Sequence, residues 1–551
     1  MKKIILIIIT VISLTWSGFI GVPSLEGCTN YIITKGASAD GSTMISYSAD
    51  SHELYGDLPY FPAADYREGA IRRIYEGDTG KYLGEIKEAT HTYAVVGLMN
   101  EYQVSIGETT FGGREELKDP TAKIDYCSLM TLALQRAETA RKAIDVMAEL
   151  VNEYGYYSTG ESLSISDPNE AWIMEIISKG PKNKGAVWVA LKIPDGYISA
   201  HANQARIRKF PLNDKLNCMY APDVISFARE MKYFEGKDED FSFVDAYCPP
   251  DFGAFRACEA RVWSMFNRVT QSSKMMEKYL DYAMGYNPKN PMPLWIKPEN
   301  KLKVKDVMAL MRDHFEGTPM DMTKDVGAGP FILPYRWRPL TWKLEDTKGA
   351  PEYFNERAVS TQQTAYSFIA QSRSWMPNPI GGVMWFGVDD TYSTVYIPMY
   401  CGIKKVPKSF EVGNGSFEEF TWDSGFWVFN FVSNYAYSRY CDMIKDIQVV
   451  QQELEGKFLA DQPEIDKAAL ALYKTAPELA RDYLTSYSTE QGDMVVKKWK
   501  KLGESLIFKY LDGNVKDANG NVTHPPYPTS WYKKILSETG DKFKVVEPEK
   551  K

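Results

Sequence analysis

The stretch from Ser24 to Asp50, SLEGCTNYIITKGASADGSTMISYSAD, sets a cysteine, Cys28, directly ahead of a strand-like run. A thiol in that position has three readings. It can be a small apolar residue near a cleavage site. It can be a lipid anchor, since Leu25-Glu26-Gly27-Cys28 has the Leu and Gly of a lipobox. Glu26 departs from that pattern, and Cys28 lies 12 residues past Trp16, where a lipobox would abut the apolar run. The third reading is a nucleophile. Cleavage between Gly27 and Cys28 would give one residue both a thiol and a free α-amine. With a reference pKa of about 7.7–8.0, that amine takes the thiol proton directly or through water. The thiolate then attacks a carbonyl, and an acyl-enzyme forms and is hydrolysed. Lipidation would turn the sulfur into a thioether and commonly block the amine, so the second and third readings exclude each other.

Other chemistries lack their residues. The chain has no GxxxxGK[ST], GxGxxG, HExxH, GxSxG or paired CxxC. Its five histidines, His52, His91, His201, His314 and His524, are scattered and show no metal-ligand spacing. The expectation is a site without cofactor or metal, and a cysteine whose base is its own amine needs no histidine.

The elements that must hold such a site belong to a chain of 551 residues, 44% hydrophobic and 25% charged, which reads as globular: one large domain or two closely packed ones. A net charge of -8 with interspersed signs argues against a nucleic-acid partner. The 13% aromatic content fits the core of large sheets, with carbohydrate or peptide binding by exposed rings as the alternative. At the N-terminus, MKKIILIIITVISLTW has two lysines before an apolar run, the pattern of a secretory signal. The run is short for a membrane span, and no other segment is long and apolar enough to be one. Residues 1–27 are therefore expected to be a leader, and the protein exported to a periplasmic or extracellular compartment. There, Cys127, Cys218, Cys248, Cys258, Cys401 and Cys441 are either buried free thiols or paired. Sequence does not choose a pairing, although Cys248 and Cys258 are close enough to close a small loop.

CTNYIITKG and GSTMISYSAD read as two strands joined by a turn at Ala39-Asp40-Gly41. THTYAVVGLMN and EYQVSIGETT read as a second pair. Leu129, Leu132, Ala133, Ala137, Ala140, Ile144, Met147 and Val151 fall at helical spacing and predict one helix over 126–154, stopped by Gly155. ESLSIS and AWIMEIIS flank Asp167-Pro168-Asn169-Glu170 as a hairpin, and VWVALKIP and GYISAHAN are expected to extend that meander. A helical insertion covers about 221–324. Strands return in QTAYSFIAQSRSW, GGVMWFGVDD and TVYIPMYCG, and a charged helical region occupies 441–551. The pattern predicts layered α and β structure.

Five stretches taken in order, CTNYIITKGASADGSTMISYSADSH, VVGLMNEYQVSIGETTFGGREEL, GESLSISDPNEAWIMEI, GAVWVALKIPDGYISAHANQARI and SFIAQSRSWMPNPIGGVMWFGVDD, resemble the C69 dipeptidases. These are cysteine N-terminal-nucleophile hydrolases, and the likeness, strongest to longer secreted members, runs from Cys28 to roughly Tyr440. It implies an α+β fold, a four-layer αββα sandwich over 28–440 related to penicillin acylases and bile-salt hydrolases, with an added helical C-terminal region. It also implies hydrolysis of dipeptides or small peptides without a metal.

By the same resemblance Cys28 is the nucleophile, Asp50 the acid beside it, and Asn203 in AHANQARI the oxyanion donor. Asn100 is a second oxyanion candidate and Arg373 an electrostatic stabiliser. Where the superfamily often has an arginine three residues before the aspartate, this chain has Tyr47, so either the electrostatics near Cys28 differ or Arg206 or Arg373 substitutes. Glu108 and Glu175 are candidates to bind the substrate ammonium. An amidase of N-acyl substrates is the close alternative and a lipid-anchored binding protein the distant one. A homo-oligomer is compatible with the sequence.

Overall fold

The computed structural model describes residues 27–546; the apolar leader lies outside the described residues. Two large antiparallel sheets hold most of the strands. In chain order these are β1 (Thr29–Ile33), β2 (Thr43–Asp50), β3 (Tyr60–Phe61), β4 (Val95–Val96), β5 (Met99–Asn100), β6 (Ser105–Phe111), β7 (Gly160–Ser166) and β8 (Ala171–Ser178). They continue with β9 (Ala186–Lys192), β10 (Ile198–His201), β11 (Cys218–Tyr220), β12 (Trp295–Ile296), β13 (Thr364–Ser372), β14 (Val383–Val388) and β15 (Ile397–Tyr400). The seven-stranded sheet has the order β12-β10-β1-β2-β13-β14-β15, and the eight-stranded sheet β11-β9-β8-β7-β6-β5-β4-β3. Every residue of β1 and β2 is buried, because β1 and β2 pack against β6 and β7 of the other sheet. Burial on both faces explains why these strands do not alternate strictly between apolar and polar residues.

The interface between the sheets is pinned by polar groups. His201 on β10 reaches across, its Nδ1 2.7 Å from Thr109 Oγ1 and its Nε2 2.7 Å from Ser164 Oγ. Burial, with the nearby Arg206 charge, pushes His201 down to about 3. The ring is therefore neutral, and one nitrogen donates while the other accepts. Asn30 Nδ2 donates to the same Ser164 Oγ at 3.3 Å. Gly107 makes the close approach possible, since a Cβ there would stand 2.9 Å from Asn30 Nδ2 and 3.1 Å from Tyr47 Cβ.

Helices cover the outer faces. On the eight-stranded sheet lie α1 (Tyr126–Leu134) and α2 (Ala140–Tyr154). The single helix expected over 126–154 is thus two. Thr139 accepts from the Lys142 N–H and starts the second helix afresh, and a side chain in that role favours a break over continuation. On the other sheet, α3 (Ala260–Val269) packs on β10, α4 (Val304–Met311) on β2 and β13, and α5 (Gly425–Tyr437) on β14. The long α6 (Tyr440–Tyr473) and α7 (Pro477–Lys509) pack on each other and on β15. Leu454, Phe458, Leu484 and Trp499 join the same hydrophobic core as the sheets, so the C-terminal helices pack into one core with them.

Three expectations meet a different structure. GYISAHAN does not extend the meander: β9 stays in the eight-stranded sheet, while β10 crosses to pair with β1, His201 opposite Asn30. Asn100 builds a turn. Its Nδ2 donates to Leu134 O and Ala137 O, both at 2.7 Å, and its Oδ1 accepts from the N–H groups of Tyr102 and Val104, both at 3.0 Å. Arg373 follows Ser372, which pairs with Thr43 at the end of β2 opposite Asp50. At about 3.4 Å per residue that is roughly 24 Å along the strand from the Cys28 end. There it forms a buried ion pair with Asp466 of α6 and donates to Gly381 O and Ile380 O at 2.8 Å. Arg373→Met leaves Asp466 buried without its counter-charge, and the expected loss is about 3–5 kcal/mol. Denaturant unfolding should report that loss, while turnover per folded molecule stays at the wild-type value.

Candidate active site

Cys28 stands one residue ahead of β1, 9% exposed, where the pairing of Thr29 with Ser48 brings it to the C-terminal end of β2. Its Sγ lies 3.4 Å from Glu108 Oε1 and 3.6 Å from Tyr47 Oη. The Tyr47 hydroxyl donates to the same Glu108 oxygen at 2.5 Å. Tyr47 thus occupies the position where the superfamily resemblance leads one to expect arginine, and it ties the thiol to a carboxylate.

Glu108 has a second carboxylate beside it. Glu161, fully buried, accepts from Thr110 Oγ1 at 3.0 Å and has an Oε2 that meets no donor. Burial, followed by the Glu108 charge, pushes Glu161 well up. Two buried carboxylates side by side resist being ionised together. Burial also raises Glu108, while the hydrogen bonds from Glu161, Tyr47 and Cys28 oppose that rise.

Two buried arginines hold the backbone on either side of the nucleophile. Arg261, from α3, donates through Nη1 to Cys28 O at 2.6 Å and Thr29 Oγ1 at 2.8 Å, with Gly27 O at 3.4 Å. Arg357 donates to Gly27 O and, at 2.7 Å, to Asp50 Oδ2. Asp50 is fixed further by Thr364 Oγ1 at 2.6 Å and Ser48 Oγ at 3.0 Å. Its carbonyl accepts the Gly27 N–H at 3.0 Å. Burial, and then the charge of Arg357, lower Arg261 to about 10; it still carries its charge at neutral pH.

Asn203 sits against the same peptide. A Cβ on Gly27 would collide with Asn203 Oδ1, so the residue before the nucleophile has to be glycine in this chain. Asn203 takes the left-handed backbone, φ 59°, which asparagine tolerates better than most residues. Its Oδ1 accepts from Arg261 Nη2 at 2.8 Å and its Nδ2 donates to Thr110 O at 2.7 Å. One of its two N–H bonds is thereby engaged, and the side chain is anchored beside Gly27.

Of the residues expected from sequence, the structure brings together Cys28, Asp50, Asn203 and Glu108. It does not bring Glu175 to them. That carboxylate is fully buried, accepts from the N–H groups of Arg206 and Ile207, and is lifted to about 8 by burial. It braces the turn after β10 and is not placed to meet a substrate ammonium. Neither arginine named as a substitute serves as one. Arg206 pairs with Glu259 at 2.9 Å and donates to the carbonyls of Ala200, Leu294 and Pro293, and Arg373 is at the far end of the sheet. The arginines that reach the Cys28 peptide are Arg261 and Arg357, neither of them expected from the sequence. Arg261 carried a faint signal, a charge inside the apolar helical run ACEARVWSMF; Arg357 carried none. All seven cysteines are free thiols, including Cys248 and Cys258.

Chemically, this is a thiol with hydrogen-bonded carboxylates on one side and guanidinium-held carbonyls on the other. With Gly27 attached, the nitrogen of Cys28 is an amide and no base. Burial pushes the thiol well up, Glu108 and then Asp50 add to the rise, and the Asp50 backbone N–H and Tyr47 pull more weakly the other way. The site is at rest in that form. A cavity of about 520 Å³ shares the Tyr47 wall. Among the described residues, no cluster of three or more His, Cys, Asp or Glu is placed to hold a metal.

The arrangement places a thiol at the head of a central strand, between two antiparallel sheets. The model of Peptidase family C69 matches residues 56–453, and the chain belongs to that peptidase family. The matched segment begins after Cys28 and Asp50, whereas the resemblance of motifs begins at Cys28. The chain is 25% identical to a probable dipeptidase of Salmonella dublin, over 70% of this chain and 83% of that protein. It is 26% identical to a probable dipeptidase of Latilactobacillus sakei, over 68% and 74%. With probable dipeptidase B of Streptococcus pyogenes serotype M1, 22% identity extends over 89% and 95%.

Glu108 is one of the charges that hold the thiol up, so in chain that retains Gly27, Glu108→Gln lowers the Cys28 pKa. Iodoacetamide labelling of Cys28, followed by peptide mass mapping, should show its midpoint moved to lower pH and a faster rate at pH 8.

Proposed function

We propose that this protein is an exported dipeptidase that works through Cys28 once Gly27 has been removed. The observation that carries the reading is the thiol at the head of β1, held 3.4 Å from a buried carboxylate, with the peptide before it gripped by Arg357 and Arg261. The facing sheets with helices on both outer faces support an αββα sandwich, and the names of the relatives support dipeptides as substrates. The burial of Sγ among Tyr47 and Glu108 leaves little room for a diacylglycerol, which favours a free thiol over a lipid anchor. The charged and apolar leader supports export.

Removing Gly27 converts the Cys28 amide into an amine. That amine takes the thiol proton, and the thiolate adds to the carbonyl carbon of the dipeptide. Negative charge gathers on the former carbonyl oxygen, where the Asn203 amide is the candidate donor. The ammonium formed on Cys28 returns its proton to the leaving nitrogen as the C–N bond breaks. A thioester remains and the first amino acid departs. Water then gives a proton to the amine and adds to the thioester, and collapse releases the second amino acid and restores the thiol. Asp50 acts as a positioning residue, because it fixes Arg357.

Glu108 accounts for the preference for a free substrate ammonium. Glu108 places a buried carboxylate 3.4 Å from the thiol, and a substrate ammonium is the natural partner of its ionised form. An N-acyl substrate would leave that charge buried and unmatched, which disfavours the amidase reading. The test uses protein whose N-terminus is Cys28 by intact mass. It should cleave simple dipeptides and leave their N-acetyl forms intact, and Cys28→Ala should lose at least about 1,000-fold in kcat/KM. Undiminished activity in Cys28→Ala, or cleavage of acetylated substrates alone, would sink the proposal.

A further inference from the structure

The cavity beside Tyr47 has a composition that the hydrolytic site does not use. Its floor is apolar and largely aromatic: Tyr47, Tyr366, Phe368, Phe386, Met130 and Met384. The rings brace each other, Tyr47 edge-on to Tyr366 and to Phe368 with centroids 5.7 Å apart in both pairs. Tyr366 stacks on Phe386 at 6.1 Å. The floor is therefore a fixed surface. Toward solvent the wall carries three carboxylates, Glu53, Asp57 and Asp78, and no lysine, arginine or histidine. Asp78 accepts from the Tyr126 hydroxyl at 2.7 Å. Asp57 is lifted to about 6 by burial, and the hydrogen bond from its own backbone N–H is all that opposes the rise.

The cavity meets the surroundings of the thiol through Tyr47; Cys28 itself does not line it. In an acyl-enzyme, the side chain of the N-terminal residue branches from the carbon next to the thioester. It must enter a space that begins within a few ångströms of Sγ. The Tyr47 hydroxyl is 3.6 Å from Sγ and the Tyr47 residue is part of the cavity wall. A volume of about 520 Å³ falls within the range of about 300–1,000 Å³ of small-molecule sites. It is ample for a phenylalanine or leucine side chain and far more than a glycine fills.

Resting on the dipeptidase reading above, we infer that this cavity receives the side chain of the N-terminal residue, so that the enzyme selects dipeptides that begin with a large apolar residue and rejects those that begin with an acidic one. Filling an apolar pocket raises kcat/KM by roughly 10-fold or more per well-placed group. A further carboxylate brought into a wall that already holds Glu53, Asp57 and Asp78, with no base among them, meets only like charge. Thr131 on α1, half-buried at the wall, can be enlarged without cutting into the core, and Asp57 can be neutralised in place.

The experiment compares kcat/KM for Gly-Ala, Leu-Ala, Phe-Ala and Glu-Ala with full-length protein processed to Cys28. Wild type should prefer Leu-Ala and Phe-Ala to Gly-Ala by at least about 10-fold and place Glu-Ala below Gly-Ala. Thr131→Trp should lower the Phe-Ala to Gly-Ala ratio by at least about 10-fold. Asp57→Asn should raise the Glu-Ala to Gly-Ala ratio several-fold. If wild type cleaves all four substrates equally well, or if neither variant moves its ratio, the pocket assignment falls while the dipeptidase reading stands. If wild type with a free Cys28 cleaves none of the four, both fall together.

Discussion

Two guanidinium groups set the geometry on which everything else at the site depends. Arg261 and Arg357 grip the carbonyls of Cys28 and Gly27, and through Asp50 they lock the head of β1 to the end of β2. Buried cations are costly unless they are fully hydrogen-bonded. Here backbone oxygens, Thr29, Asn203 and Asp50 take up most of their donors, and Arg357 Nε is left without a partner among the described residues. The same contacts fix the Gly27–Cys28 peptide and hold Asn203 beside it.

The opposite side of the thiol is governed by negative charge. Glu108 and Glu161 are buried carboxylates that resist being ionised together, and Tyr47 and Cys28 hydrogen-bond to Glu108. This arrangement opposes thiolate formation while the chain is uncleaved. Release of the α-amine would change that balance by adding a basic group to the nucleophile itself. Activation can therefore come from one bond cleavage, with no rearrangement of the fold. The polar pins His201, Asn30, Thr109 and Ser164 support this rigidity by fixing one sheet against the other a few residues from the thiol.

Local pattern made the strands at Cys28, the hairpin at Asp167–Glu170 and the three late strands legible, because their periodicity and turn chemistry are local. The helix over 126–154 was misread as continuous because its apolar spacing runs through the break, and only the cap at Thr139 marks it. The resemblance pointed to Cys28, Asp50 and Asn203, which do meet. Glu108 was singled out for a substrate's charge and lies against the thiol. Arg261 and Arg357 stayed hidden because they reach Cys28 from helix and loop more than two hundred residues downstream, and nothing local distinguishes them from structural arginines such as Arg206. The crossing of β10 was equally invisible, since a strand's partner is decided by tertiary packing and not by its own residues.

The place of β1 in its sheet has a bearing on how the molecule assembles. It is an interior strand, flanked by β10 and β2, and β2 in turn pairs with β13. The contact between Arg357 and Gly27 spans 330 residues. Contacts of such length close late. β1 can pair with β2 as soon as that strand emerges, but its other neighbour, β10, and the arginines that hold Gly27 and Cys28 come from far downstream, so the enclosure around Cys28 waits for most of the chain. A truncated or half-made chain carries the cysteine but not the enclosure around it, so a hydrolytic centre cannot form ahead of the structure that restrains it.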